Sequence, residues 1–320
     1  MPLAPIDIIR FCRYTLLITV TLFATSVSAH NKVVVIPMLG HATKPLKNVV
    51  TVAKANGDYS DPVAALAGII DASASNPYLI VIAPGVYTVT SALVMKPWVD
   101  IAGSGQEVTF IKGPISSTSA DATSAIISGM NAAELSDLTV ENTGGNSFSI
   151  AIFNYYSSVR LMRVTAIAGG GTINYGIYNR PNSSPTMTQL TVTASGGTSN
   201  YGIYNNHYSS PTMTQVTVTA SGGTDNNYGI YNLDHCQSSM MMVTATASGG
   251  TGDNYGVYNW DTTAAPFIEN SFLKGTTSGV RIGSDSTRIV NTRIEGGVSG
   301  DIGGTQCLGT YDQNLNNVGC

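Results

Sequence analysis

Tyr201-Gly202-Ile203-Tyr204-Asn205 has a close copy on either side, Tyr175 to Asn179 and Tyr228 to Asn232, and a fourth follows as Tyr255-Gly256-Val257-Tyr258-Asn259. The copies are 26, 27 and 27 residues apart. Between them runs a second block, Pro185 to Gly197, which returns as Pro211 to Gly223 and more loosely as Ser238 to Gly250. Short β-type runs and Gly-rich turns at such a period are the signature of a solenoid, in which each coil stacks on the one before. A propeller blade needs about 40–45 residues and hairpin turns. Neither is present.

If coils stack, residues one repeat apart become vertical neighbours, and each column can be read for its face. The column Ile152, Ile177, Ile203, Ile230, Val257, Val280 is always β-branched and should point inward. The next column, Phe153, Tyr178, Tyr204, Tyr231, Tyr258, ends in Arg281, so it should face outward. Asn154, Asn179, Asn205, Asn232 and Asn259 then fall inside at a corner, where stacked amides can satisfy one another. In the second block Leu190, Val216, Val243, Val192, Val218 and Ala245 should point in, joined by Leu273 and Ile294 in later coils. The intervening threonines give way to Glu141, Lys274, Arg293 and Glu295 at the ends, as solvent-facing columns should. The expected fold is an all-β, right-handed, single-stranded parallel β-helix with three short strands and three turns per coil.

Ends and compartment are also legible. Arg10 and Arg13 precede the apolar run Tyr14 to Phe23 and the small residues Val27-Ser28-Ala29, which reads as a secretory signal over 1–29. Residues 30–44 form a lead, and 45–320 one β-helix domain with regular repeats at about 146–300 and a C-terminal cap at 301–320. Removing the signal takes away Asp7, Arg10 and Arg13 and moves the net charge from −4 to −5. No basic run and no apolar membrane span remain, which argues against nucleic-acid and transmembrane roles. Asp61-Pro62 opens a helix through Ile70, with Asp61 as N-cap, whose apolar side of Val63, Leu66, Ile69 and Ile70 would plug the N-terminal mouth. Export permits disulfides. Cys307 and Cys320 bracket the last loop and are expected to pair, leaving Cys236 as a free or intermolecular thiol.

Three segments carry a resemblance: Val50-Thr51-Val52-Ala53-Lys54 with Gly57-Asp58-Tyr59, then Tyr78 to Tyr87, then Leu138-Thr139-Val140-Glu141-Asn142-Thr143-Gly144-Gly145. Together they resemble the N-terminal half of pectinesterases in the pectin-lyase-like superfamily, while the repeats are similar to those of secreted bacterial β-helix proteins. The resemblance implies an ester-cleaving site built from two Asp, glutamines and an Arg on the coils just after Gly145. Here Ser149 stands where the first glutamine belongs, Gly171-Thr172-Ile173-Asn174 replaces the Gln-Asp pair, and no Asp or Glu occurs between Gly145 and Asp225. Carboxylate chemistry needs two such groups at the scissile bond. No catalytic residue, metal or cofactor is therefore assigned, and a polysaccharide esterase, lyase or hydrolase is the alternative.

One edge varies from coil to coil. After each Asn the turn reads Tyr155-Tyr156-Ser157, Arg180-Pro181-Asn182, Asn206-His207-Tyr208, Leu233-Asp234-His235 and Trp260-Asp261-Thr262. Aromatic rings with flanking amides and carboxylates suit pyranose rings. The candidate glycan edge comprises Tyr178, Tyr204, Tyr231, Tyr258, Tyr208, Trp260, Asp234 and Asp261. Two other readings stay open: a tyrosine ladder that only stiffens the sheet, and Asp234 with Asp261 as a calcium pair or as solvated turn residues. The expected protein is a non-catalytic secreted, cell-surface or periplasmic module that binds polysaccharide or surface glycan or serves a structural role, with a purely structural spacer left open. Oligomerisation is left open.

Overall fold

The computed structural model describes residues 48–261, 263–283 and 286–320. Residues 1–47, which include the stretch read as a secretory signal and the lead at 30–44, lie outside the described residues. From Asn48 onward the chain winds into a right-handed parallel β-helix. One face is a sheet of nine parallel strands, one per coil. The other two faces merge, because Glu134–Asn142 and Arg160–Gly169 run unbroken from one to the other. Each turns the corner on a residue with left-handed backbone, Asp137 at φ 57° and Arg163 at φ 50°.

Register follows the repeat. Ile152, Ile177, Ile203, Ile230, Val257 and Val280 pair in one file and are fully buried. On the second face Val192, Val218, Ala245, Leu273 and Ile294 form another file, with Thr191, Thr217 and Thr244 beside it on the outside. A third file, Met187, Met213, Met240, Ile268 and Ile289, completes the core. The first, less regular coils carry Ile80, Ile101, Leu135 and Leu161 in the same role.

The corner asparagines hydrogen-bond up the stack. Asn154 donates to Asn179 at 2.7 Å, Asn179 to Asn205 and Asn205 to Asn232 at 2.8 Å, Asn232 to Asn259 at 2.9 Å, and Asn259 to Thr287 at 3.2 Å. A second ladder, Asn174 to Asn200 to Asn227 to Asn254, runs at the opposite end of the same strands at 2.8–2.9 Å. Its residues lead each Asn-Tyr-Gly and were visible in the sequence, but strict alternation hid their direction.

The N-terminal helix spans Pro62–Gly68, and Asp61 caps it by accepting from Val63 and Ala64. It ends two residues earlier than expected. Ile69 packs into the core at 4% exposure, but Ile70 is 91% exposed, because the chain leaves the helix at Ile69 with extended backbone. At the other end Cys307 and Cys320 are disulfide-bonded. Gln306–Leu308 still pairs with Arg288–Val290, so the stretch read as a cap begins by adding one more rung. Cys236 is wholly buried and donates to the Leu233 carbonyl, and burial pushes its thiol up to about 12. An intermolecular bridge from it is thereby corrected: no partner can reach the sulfur.

Candidate ligand-binding edge

Each coil breaks its β alternation once. Asn174 points in and Tyr175 out, yet both Gly176 and Ile177 face the core, so Tyr178 is again outside. Glycine is required at the break by close approach. A Cβ on Gly176 would sit 2.4 Å from Val192 Cγ1 and 2.6 Å from the Gly202 carbonyl. The consequence is two tyrosine columns on one outer face: Tyr175, Tyr201, Tyr228, Tyr255 beside Tyr178, Tyr204, Tyr231, Tyr258.

The columns interlock. Tyr175 stacks on Tyr201 and Tyr201 on Tyr228 with centroids 5.0 Å apart, Tyr204 stacks on Tyr231 at 5.0 Å, and Tyr201 meets Tyr204 edge-on at 5.1 Å. Stacked and edge-on contacts at rung spacing leave little of these rings open. Tyr178 is 4%, Tyr231 8% and Tyr258 7% exposed, and Tyr204 is half-buried. These four candidates do face outward, but their rings are spent on one another, each pair adding ~0.5–1.5 kcal/mol beyond area burial. Burial raises the hydroxyl pKa of Tyr201 and Tyr255 to about 12, and that of Tyr204, Tyr228 and Tyr231 further. The ladder is a rigid wall.

Beyond it, at the turn after each corner Asn, the rings open to solvent. Tyr155, Tyr156, Tyr208 and Trp260 are 53–55% exposed. Trp260 leans on Tyr258 and Tyr231, with centroids 5.4 and 6.3 Å away, and Tyr155 packs on Phe153 and Tyr156. The wall thus positions the edge. Tyr156, Asn182, His207, Tyr208, Asp234 and His235 all have left-handed backbone, φ 50–60°. That conformation is uncommon for bulky residues and marks a constrained turn.

The edge's charged groups are engaged. Asp234 lies between two imidazoles, 2.6 Å from His235 Nδ1 and 3.4 Å from His207 Nε2. No such partners had been read for these histidines, because the left-handed turn that swings them together is invisible in spacing. His235 also stacks on Tyr208 at 4.5 Å. Asp261 is a turn clamp: it accepts from Thr263 N and Oγ1, Ala264 N and Asp234 N. Burial alone would raise its pKa, but those bonds, led by Thr263, hold it below the usual carboxylate range. Asp234 and Asp261 are therefore neighbours without forming an open calcium pair. Arg180 lies against the Tyr178 ring and donates to its hydroxyl at 3.2 Å. Among the described residues no cluster of three or more His, Cys, Asp or Glu is placed to hold a metal ion.

Two of the positions where the resemblance expects catalysis face inward, while Thr172 is exposed. Ser149 and Asn174 are fully buried, and Asn174 belongs to the second ladder. Another carboxylate pair, Asp100 and Glu134, occupies consecutive rungs, with the Glu134 backbone N–H donating to Asp100 and Arg160 3.3 Å from Glu134. Burial raises both pKa values. At 5% exposure Glu134 cannot meet a polymer. A shallow groove of about 370 Å³ crosses three coils at the other end of the tyrosine strands, lined by Gly145–Ser147, Gly170–Thr172, Gly197 and Thr198. It carries no ionisable side chain.

No family profile and no curated protein matches the chain by sequence. Solved structures do match by fold. A carrot pectin methylesterase is 13% identical over 84% of this chain and 85% of its own, with a TM-score of 0.54. The pectin methylesterase of Erwinia chrysanthemi is 12% identical over 86% and 91%, TM-score 0.45, and the mannuronan C-5 epimerase A-module of Azotobacter vinelandii 16% over 79% and 88%, TM-score 0.38. At such identities the likeness concerns the course of the backbone. The chain shares the parallel β-helix fold of the carrot pectin methylesterase.

Proposed function

We propose that this protein is an exported, non-catalytic module that binds polysaccharide along the turn edge running from Tyr155 to Trp260. One observation carries the reading. Beside a face whose other tyrosines pack against each other, four aromatic rings are held half-exposed on a single edge, Tyr155 and Trp260 braced by the wall, Tyr156 by Tyr155 and Tyr208 by His235, with Arg180 and His207 alongside. Rigid aromatic faces beside hydrogen-bonding groups are what a sugar ring needs, and little side-chain freedom is lost on binding. The carrot pectin methylesterase, which shares the fold, supports a polysaccharide as ligand. Catalysis is disfavoured because the coils after Gly145 offer no Asp or Glu before Asp225, and Ser149 and Asn174 lie inside, where an esterase needs its reacting groups.

The test is a glycan array probed with a chain beginning at His30 and with a Tyr155→Ala/Trp260→Ala variant. Wild type is expected to retain a subset of polysaccharides without releasing methanol or unsaturated products, and the variant to lose them. Equal retention by both proteins, or turnover by wild type, would contradict the proposal.

A further inference from the structure

The exposed rings are not on every coil. They stand on the first, third and fifth of the five coils marked by Asn154, Asn179, Asn205, Asn232 and Asn259: Tyr155 and Tyr156, then Tyr208, then Trp260. The coils between offer polar groups at the edge, Arg180 on the second and the Asp234–His235 pair on the fourth. Parallel rungs are ~4.8 Å apart, so one aromatic platform follows another at ~9.6 Å along the coil axis. Tyr208 sits two residues further along its turn than Tyr155 and Trp260, so the line of platforms bows slightly.

We propose that the ligand is a straight, neutral β-1,4-linked polysaccharide ribbon lying along the coil axis, with alternate sugars seated on Tyr155/Tyr156, Tyr208 and Trp260. This rests on reading the edge as a glycan site. In a β-1,4-linked ribbon successive rings are turned over, so every second sugar presents the same face, and two sugars advance by close to two rungs. Alternate rings then meet aromatic faces, and the rings between meet Arg180 and the histidines. An α-1,4-linked chain winds, and its rings leave such a line after one or two units. Neutrality follows from the charge balance of the edge. Two carboxylates, Asp261 with Thr263, Ala264 and Asp234 donors and Asp234 between two imidazoles, outnumber the one guanidinium, Arg180, so the edge offers no net positive charge to a uronide and its donors and acceptors suit hydroxyl and acetamido groups. Five coils span ~19 Å between the first and last rung, which accommodates about five sugars.

Titration calorimetry with cello- and chito-oligosaccharides of two to six units, against maltohexaose and hexagalacturonate, tests this. A β-1,4-linked hexamer is expected to bind most tightly, with affinity climbing up to about five units and then levelling. Removing one platform should cost about 10-fold in hexamer affinity, the scale of one aromatic contact. Tyr208→Ala should therefore weaken the hexamer while leaving the disaccharide unchanged, and Trp260→Ala provides the same reading at the far end. If maltohexaose or hexagalacturonate binds as tightly and Trp260→Ala abolishes that binding, the ribbon is wrong while the glycan edge stands. If no saccharide binds, both readings fall.

Discussion

Replacing Asn232 with aspartate is expected to lower unfolding stability by about 3–5 kcal/mol at pH 7, the cost of an uncompensated buried charge. Asn232 is fully buried, accepts from Asn205 at 2.8 Å and Ser238 at 2.8 Å, and donates to Asn259 at 2.9 Å. A carboxylate keeps the accepting contacts but cannot donate, so it faces the Asn259 oxygen at hydrogen-bond distance. Burial raises the pKa of such a carboxyl above its unfolded value, so the native state binds the proton more readily. Acidification through that raised value therefore relieves the penalty, and the variant should be least impaired near pH 4. Asn232→Ala should cost at least about 3 kcal/mol at any pH, since it removes the partner of two donors, on Asn205 and Ser238, and of one acceptor, on Asn259, at ~1–3 kcal/mol each. Gln237→Glu, exposed on the same coil, should stay within about 0.5 kcal/mol. Denaturant midpoints at pH 4 and 7 measure all three. A pH-independent Asn232→Asp variant would show that the ladder is not buried.

Gly202→Ala is the second large effect. Its new Cβ would lie 2.2 Å from Val218 Cγ1 and 2.6 Å from the Gly229 carbonyl. The valine can turn away, but the carbonyl is backbone of the next coil. Overpacking of this kind costs about 1–3 kcal/mol and more where backbone must shift. Combining it with Val218→Ala should restore only part of the loss, the remainder belonging to the carbonyl, which a double-mutant cycle resolves. Gly145→Ala makes the contrast, because nothing lies within 4 Å of its added Cβ and its midpoint should hardly move.

These two residues also mark what the sequence could and could not disclose. Asn232 was readable because the amide recurs at fixed spacing and turns into Ile282 at the last coil, so its inward direction followed from arithmetic. The same arithmetic failed at Tyr175, Tyr201, Tyr228 and Tyr255. Period-2 alternation sends them inward with Ile177 and its file, and only the break at the adjacent glycine sends them out. Facing outward does not by itself make a ring accessible. Tyr178 and Tyr231 point away from the core, yet the rings one coil above and below close over them, a relation between coils that no single strand displays. The edge residues Tyr208 and Trp260 were found because they vary where everything else repeats. The meeting of His207 and His235 at Asp234 depends on left-handed turns at φ 52–60°, which Tyr, His and Asp do not announce.

Every functional statement requires the turns to lie directly above one another, and paired cysteines test that most simply. Thr191 and Thr217 are register partners on adjacent coils, and Thr244 is the next in the column. Rungs ~4.8 Å apart suit a disulfide, whereas two rungs, ~9.6 Å, exceed its reach. On mild oxidation Thr191→Cys/Thr217→Cys should lose both new thiols within a monomer, and Thr191→Cys/Thr244→Cys should keep them. Equal bridging in the two proteins, or bridging only in the second, would mean that the coils do not stack in this register and that no continuous edge exists.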